Sequence, residues 1–257
     1  MLSATEDRQS KIVEMLREEL FLDITTLTKR FQISVSTARR DVLDLEEAGH
    51  LRRTHGGAVS ISQVSQDPGN AARAISQKAE KMAIAKAAAA MVADGDVVFL
   101  DAGTTALEVA KLLIGRKGLT FMTNGADIIA ELIRNDVSNF HAVGGEFAEI
   151  NRSFRGPLAE HFIRQFSVDK LILNAASIDL ARGLIFTGSP ANASIQKAMM
   201  EVSSRTIVVA DHSKFTKSSF SATARIEEIG VVVTDSGART IIDTVPEKLR
   251  KKFIIAS

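Results

Sequence analysis

The chain has no cysteine. That excludes disulfides and thiolate metal sites, and it fits a reducing compartment. It also lacks an excess of either charge. Its 32 Lys and Arg stand against 31 Asp and Glu, a net charge of +1, so the chain as a whole is no polyanion-binding mass. No apolar run approaches the ~18 residues that a bilayer span needs, and Met1 to Arg17 is too polar for a signal peptide. A soluble, cytoplasmic protein is expected. The five histidines are scattered, without the short-spaced pair that a zinc site favours. No Gly-Lys-Ser ending marks a nucleotide-phosphate loop. Neither metal nor cofactor is expected, and no internal repeat or low-complexity tract is visible.

The 257 residues suit one large or two modest domains. The organising stretch is residues 24 to 59, which reads as helix, tight turn, helix and small hairpin. Leu27 and Phe31 share one face of the first helix. Ser34 is placed to cap the second helix by accepting from the amide of Ser36 or Thr37. Ala38, Val42 and Leu45 recur at i, i+4 and i+7 and form its buried stripe. Gly49 stands where that helix should stop. With the stripe facing inward, Val35, Ser36, Thr37, Arg39 and Arg40 face outward in the first turns. Small, hydroxylated and forked-cationic groups at that end suit a helix entering a DNA major groove, where Arg reads guanine and Ser or Thr contacts bases or phosphates. Arg52, Arg53 and His55 follow on a short strand, and Gly56-Gly57 permits a reversal with positive φ. That is the shape of a wing laid along phosphate. The cations cluster locally, at Lys29, Arg30, Arg39, Arg40, Arg52 and Arg53, which is what a reading face requires.

These residues carry a resemblance. Phe-Gln-Ile-Ser-Val-Ser-Thr-Ala-Arg-Arg-Asp-Val, then Leu-Glu-Glu-Ala-Gly-His-Leu-Arg-Arg-Thr-His-Gly-Gly-Ala, resembles the N-terminal signature of the DeoR family of bacterial transcription regulators. Ala38 departs from it, since the family usually carries a larger aliphatic residue there. The resemblance implies DNA binding through Ser34, Val35, Ser36, Thr37, Arg39, Arg40, Arg52, Arg53 and His55.

An amphipathic helix over residues 8 to 20 should complete a winged helix-turn-helix domain, residues 1–59. Residues 60–72, rich in Ser and Gln with a Pro-Gly pair, read as a linker. From residue 73 to 257 the pattern changes. A long Ala-rich helix over 73–93 precedes short apolar strands that alternate with helices, beginning with Val97 to Leu100. Such alternation means an α/β domain with a mainly parallel sheet covered on both faces.

Ligands of such sheets bind beyond the carboxyl ends of the strands, at helix N-termini. There the chain places Asp101-Ala102-Gly103-Thr104-Thr105, Thr123-Asn124-Gly125, Gly144-Gly145 and Asp211-His212-Ser213-Lys214, with Lys197 a turn into a late helix. That mixture of donors, acceptors and cations suits a polyol phosphate. The same residues occur in the order of the DeoR family's C-terminal domain. It resembles ribose-phosphate isomerases, glucosamine-phosphate isomerases and CoA transferases in fold, and it senses phosphorylated sugars or related metabolites. The resemblance implies an effector site at Asp101, Gly103, Thr104, Thr105, Thr123, Asn124, Gly144, Gly145, Lys197, Asp211, Ser213 and Lys214, with Arg152 as a further anion contact. The family pattern lapses at Ala175 to Asp179 and Gly183 to Pro190, where Phe186 could wall the pocket.

Two functions follow. The first is a DNA-binding regulator of a carbohydrate operon, a repressor released from double-stranded operator DNA by a sugar phosphate. It would act as a homo-oligomer, a dimer or tetramer. The second is a sugar-phosphate isomerase-like enzyme with an appended DNA-binding module, using Asp101 and Asp211 for proton transfer. No further acid stands out near the Gly-Thr-Thr turn, so the first is preferred and no catalytic residue is assigned.

Overall fold

The computed structural model describes residues 4–18, 22–48, 50–54, 57–60, 70–217 and 219–256. The chain divides into two compact units, Met1–Asp67 and Pro68–Ser257.

The first unit holds α1 (Ala4–Glu18), β1 (Leu22–Asp23), α2 (Ile24–Phe31), α3 (Val35–Glu47), β2 (Leu51–Thr54) and β3 (Gly57–Ser60). Ile12, Leu16, Leu27, Ala38, Val42, Leu45 and Leu51 form its core, with Phe31 packed at the margin. The three strands make an antiparallel sheet in the order β1-β3-β2. Gly57 is needed for close approach within this sheet. It pairs with Asp23, and a Cβ there would lie 2.0 Å from the Leu22 carbonyl oxygen. Gly49, expected to stop the second helix, and His55 and Gly56, expected in the wing, lie outside the described residues.

The second unit is built on a seven-stranded sheet, every pair parallel. Its strands are β4 (Val97–Leu100), β5 (Thr120–Thr123), β6 (Phe140–Ala142), β9 (Val168–Asn174), β12 (Ser203–Val209), β14 (Val231–Asp235) and β15 (Phe253–Ala256). They lie in the order β15-β14-β12-β9-β4-β5-β6. Side chains alternate strictly between two cores, as the period of a strand demands. Val98, Leu100, Ile172, Ile207 and Val209 enter one core with helices α5 (Lys78–Ala89), α6 (Thr104–Leu113) and α7 (Ala126–Arg134). Phe99, Leu171, Leu173 and Val208 enter the other with α8 (Pro157–Ile163) and α9 (Pro190–Glu201). Both faces are therefore buried, which is why these strands read as continuous apolar runs. From β4 the chain winds outward through β5 and β6. From β9 it winds the other way. The reversal leaves a crevice between the ends of β4 and β9, where ligands of such sheets bind.

Two smaller sheets were not read from the sequence. One joins β10 (Ser177–Asp179), β11 (Leu184–Thr187) and β13 (Ser221–Arg225), and the other pairs β7 (Glu146–Ala148) with β8 (Ser153–Arg155). The first absorbs much of the stretch where the family pattern lapsed. Phe186 is buried in it, with the Arg182 guanidinium 4.8 Å from its ring centroid.

The single Ala-rich helix expected over 73–93 is instead two helices, α4 (Asn70–Ile75) and α5, separated by a turn in which Gln77 is left-handed at φ 51°. Lys81 serves the break. Its ammonium donates to the Arg73 and Ser76 carbonyls, acceptors that a continuous helix would have turned to its own N–H groups. Asn70 already opens a helix, inside the stretch read as linker. Short helices α10 (Arg239–Ile242) and α11 (Glu247–Arg250) precede β15. Among the described residues, no helix is long and apolar enough to cross a membrane.

Candidate functional site

The first candidate is the exposed face of α3. Ser34 caps the helix, its hydroxyl accepting from the Thr37 amide at 3.1 Å. Hydroxyls of Ser36 and Thr37 each lie 2.8 Å from it, so the three form one polar knot at the helix start. Val35, Ser36, Arg39 and Arg40 are exposed beside the knot, while Ala38, Val42 and Leu45 are buried. Val35 is 51% exposed, an apolar group held in water on a face of donors. A thymine methyl would suit it. Arg52 and Arg53 lie on β2, paired with Val59 and Ala58.

Sequence reasoning missed what holds this face in place. Asp41 is buried on the inward side of α3 at 2% exposure. Arg8 of α1 meets it with a two-pronged pair, Nε to Oδ2 at 2.7 Å and a second guanidinium N–H to Oδ1 at 2.9 Å. A carboxylate three residues after Ala38 and four before Leu45 sits on the apolar stripe, and that placement was the available signal.

The second candidate is the crevice between β4 and β9. Asp101 directly follows β4 and is buried. Its Oδ2 accepts from the Asn174 amide at 3.1 Å and from Gln196 Nε2 at 2.8 Å. Asn174 Nδ2 donates back to the Asp101 carbonyl at 3.0 Å, and Thr223 donates to the Gln196 side-chain oxygen at 2.9 Å. Burial pushes the Asp101 carboxyl up to about 6, against the donors from Gln196 and Asn174 that favour its charge.

Gly103 precedes α6 and gives it no side-chain cap. The first N–H groups of that ten-residue helix therefore face the crevice end of the sheet without a side-chain acceptor from the cap position. Thr104 and Thr105, its first residues, are nearly buried. Gly103 itself makes room for Asn174, since a Cβ there would lie 2.6 Å from Asn174 Cγ. Gly103→Ala is accordingly expected to cost about 1–3 kcal/mol by overpacking, read as a lower denaturant midpoint. An unchanged midpoint would mean that Asn174 is not locked here.

Thr123 and Asn124 are spent on architecture. Thr123 donates to the Leu100 carbonyl at 2.7 Å and accepts from the Gly125 amide at 3.0 Å. Asn124 accepts from the Ala102 amide at 3.0 Å and donates to the Phe154 carbonyl at 3.1 Å, tying the β4 loop to β8. Gly145 serves packing too, because a Cβ would lie 2.6 Å from the Arg155 carbonyl oxygen; Gly144 is exposed with open space around it.

Asp211 follows β12, buried, and accepts from the amide and hydroxyl of Ser213. The Lys214 backbone N–H donates to the Asp211 carbonyl at 2.9 Å, which closes the turn. The structure thus brings Asp101, Gly103, Thr104, Thr105, Thr123 and Asn124 together at the ends of β4 and β5, and Asp211, Ser213 and Lys214 into one turn after β12. Gly144 and Gly145 enter neither group, and two further expected residues, Arg152 and Lys197, stand apart as well. Arg152 pairs with Asp127 at 2.6 Å, and Asp127 also accepts from Asn70. Lys197 is on the exposed side of α9, and the α9 side chain that reaches Asp101 is its neighbour Gln196. Arg155, not foreseen, reaches Asn192 at 3.3 Å and Ser189 at 3.5 Å at the start of α9.

Comparison with known proteins bears on both candidates. Residues 8–64 match the model of the DeoR-like helix-turn-helix domain, and residues 76–236 that of the DeoR C terminal sensor domain. The chain is 67% identical, over the full length of both, to the transcriptional repressor AccR of Agrobacterium fabrum. It is 36% identical to the uncharacterized HTH-type transcriptional regulator YulB of Bacillus subtilis, over 90% of this chain and 89% of that one. Among solved structures, ribose 5-phosphate isomerase A from Methanocaldococcus jannaschii aligns with a TM-score of 0.41 at 16% identity, over 55% of each chain. The chain belongs to the DeoR family, with a DeoR-like helix-turn-helix domain followed by a DeoR C-terminal sensor domain.

Proposed function

We propose that this protein is a transcriptional repressor that reads double-stranded operator DNA with α3 and the β2–β3 wing and is released by a phosphorylated sugar. Residues 1–59 would supply the DNA contact, and residues 73–257 the effector site and the contacts of a homo-oligomer working in the cytoplasm. The observation that supports the effector half is the α6 N-terminus at the switch point, without a side-chain cap and close in sequence to the buried Asp101. Helix-start amides favour an anion, and carboxylate and amide groups favour sugar hydroxyls. The relative named a transcriptional repressor, alike over the whole chain, supports repression as the sign. Release follows from linkage: an effector that prefers the arrangement unable to bind DNA shifts the population toward it.

A thermal-shift screen of sugar phosphates against the matching free sugars tests the effector half. A ligand of the folded state raises the melting temperature with concentration. A rise with a phosphate and none with its free sugar is expected; equal responses would displace the anion from this reading. For the DNA half, Arg39→Ala and Arg40→Ala are each expected to weaken operator binding by ~1–3 kcal/mol where the lost contact is to a base. Fluorescence anisotropy with labelled operator measures this, and wild-type affinity in both variants would remove α3 as the reader.

A further inference from the structure

An anionic effector asks for a cation, and two of the cations expected at the crevice do not serve it. Arg152 is paired with Asp127, and Lys197 is on the exposed side of α9. Arg155, the last residue of β8, is a further cation, and two ties place it at the crevice. The first is Asn124, which joins the Ala102 amide to the Phe154 carbonyl at 3.0 and 3.1 Å. One side chain therefore spans from the loop that opens α6 to the residue before Arg155. The second runs through α9. Arg155 Nη1 lies 3.3 Å from Asn192 Oδ1, and Gln196, four residues further on, donates to Asp101 at 2.8 Å. Residues so spaced share a helix face, about 6 Å apart along the axis. Asn192 and Gln196 are both buried, so one inward face of α9 meets Asp101 at one turn and Arg155 at the turn before.

The Arg155 guanidinium is poorly served. Nη1 reaches Asn192 at 3.3 Å and Ser189 at 3.5 Å, and Nη2 reaches Glu146 Oε1 at 3.3 Å. Each contact is longer than the roughly 2.7–2.9 Å of a charge-assisted hydrogen bond. Nε is buried and has no hydrogen-bond partner. Nε and Nη2 make up the edge of a guanidinium that grips two oxygens of one anion. On Arg155 half of that edge has no acceptor. The other half meets Glu146, directly opposite on β7, whose side chain is 69% exposed. Water screens such a pair, and it holds weakly.

We propose that Arg155 grips the phosphate of the effector, and that Glu146 occupies the guanidinium until the phosphate displaces it. A phosphate presents two oxygens side by side and meets Nε and Nη2 together, where Glu146 meets Nη2 alone. Glu146 opposes the incoming anion by its charge. Once displaced it needs no new partner, because most of its side chain is already in water. A neutral free sugar has no charge with which to compete, so the pair also selects against it. The inference rests on the anionic-effector reading above and adds the residue that holds the charge and the residue that guards it.

The test uses the full chain, with inorganic phosphate and the sugar phosphates of the thermal-shift panel as probes and chloride at matched ionic strength as control. Affinity is read from the concentration dependence of the melting temperature. Whichever phosphate shifts the wild type should bind Arg155→Met about 10–100-fold more weakly, the range for lost hydrogen bonds to a charged group. Arg155→Lys, which keeps the charge and loses the fork, should fall between the two. Glu146→Gln removes the competing charge from an exposed position and should bind the same phosphate about two- to fivefold more tightly. A pair that only braces β7 against β8 predicts the reverse there, with binding unchanged or weaker. Unchanged affinity in both Arg155 variants, or a Glu146→Gln protein that binds no more tightly, overturns the proposal and leaves the anionic-effector reading standing. A wild type indifferent to every phosphate in the panel overturns that reading and the proposal with it. If Arg155→Met does not fold, Glu146→Gln decides by itself.

Discussion

Arg8→Met is expected to destabilise the N-terminal unit by about 3–5 kcal/mol and to abolish operator binding. Asp41 is 3% exposed at its side chain and Arg8 18%, so removing the guanidinium leaves a carboxylate in the core with no cation. Asp41 lies on α3 between Ala38 and Leu45, and any movement that returns it to water rolls the helix. Arg39 and Arg40 are on the same helix and would roll with it. The loss should therefore appear in DNA affinity as well as in unfolding. A double variant, Arg8→Met with Asp41→Leu, should recover most of the stability, because a packed apolar pair of similar volume often equals or exceeds a buried ion pair. Two-step thermal unfolding reads this directly. The transition of the N-terminal unit should fall in the single variant and return in the double, while that of the sensor unit stays. A single variant that unfolds like the wild type would mean that the pair contributes nothing.

Asp101→Asn is expected to act in the opposite direction. A carboxyl whose pKa is raised on folding binds its proton more tightly in the folded chain, so the folded state is favoured where the group is protonated. The rise from 3.8 to about 6 corresponds to ~3 kcal/mol of stability present below the lower value. It is lost as pH climbs from about 4 through 6 and stays lost at neutral pH. From this group, the sensor unit should be more stable at pH 4 than at pH 7. The variant removes the buried charge and retains an oxygen that can accept from both Asn174 and Gln196. It should gain on the order of 1–3 kcal/mol at pH 7 and flatten the pH profile, while losing the effector response. Urea unfolding at several pH values, with the phosphosugar screen repeated, checks all three. A variant less stable than the wild type at pH 7 would contradict the assignment of burial as the dominant influence on Asp101.

Much of this was legible because burial leaves periodicity. The stripe of α3 repeated at helical spacing, and the central strands were apolar because both faces are covered. What escaped was of two kinds. One was pairing at a distance: β11 finds its partner β13 some forty residues on, with Leu184 opposite Arg225, and short segments such as Ser-Ile-Asp and Ser-Ala-Thr-Ala-Arg carry little local signal. The other was polar residues inside an apolar stripe. Lys197 drew notice for its charge, yet Gln196, one position and about a third of a turn away, is the residue on the buried side with Ile195 and Met199. Lys81 and Asp41 were hidden likewise, among residues read only for apolarity. At the crevice, Thr123, Asn124 and Gly103 were found at the expected strand ends, but their side chains or lack of one serve hydrogen bonds and packing within the loops.

The pairing of β4 with β9 also sets an order of events during synthesis. Val98 lies beside Lys170, so the middle of the sensor sheet cannot close until the second of these residues has left the ribosome. At roughly 5–20 residues per second, several seconds pass between the two. The helix-turn-helix unit, whose core runs from Ile12 to Ala58, has left the ribosome well before that. For that interval the nascent protein carries a finished helix-turn-helix unit ahead of a sensor domain that still lacks its central strand pair and the crevice beside it.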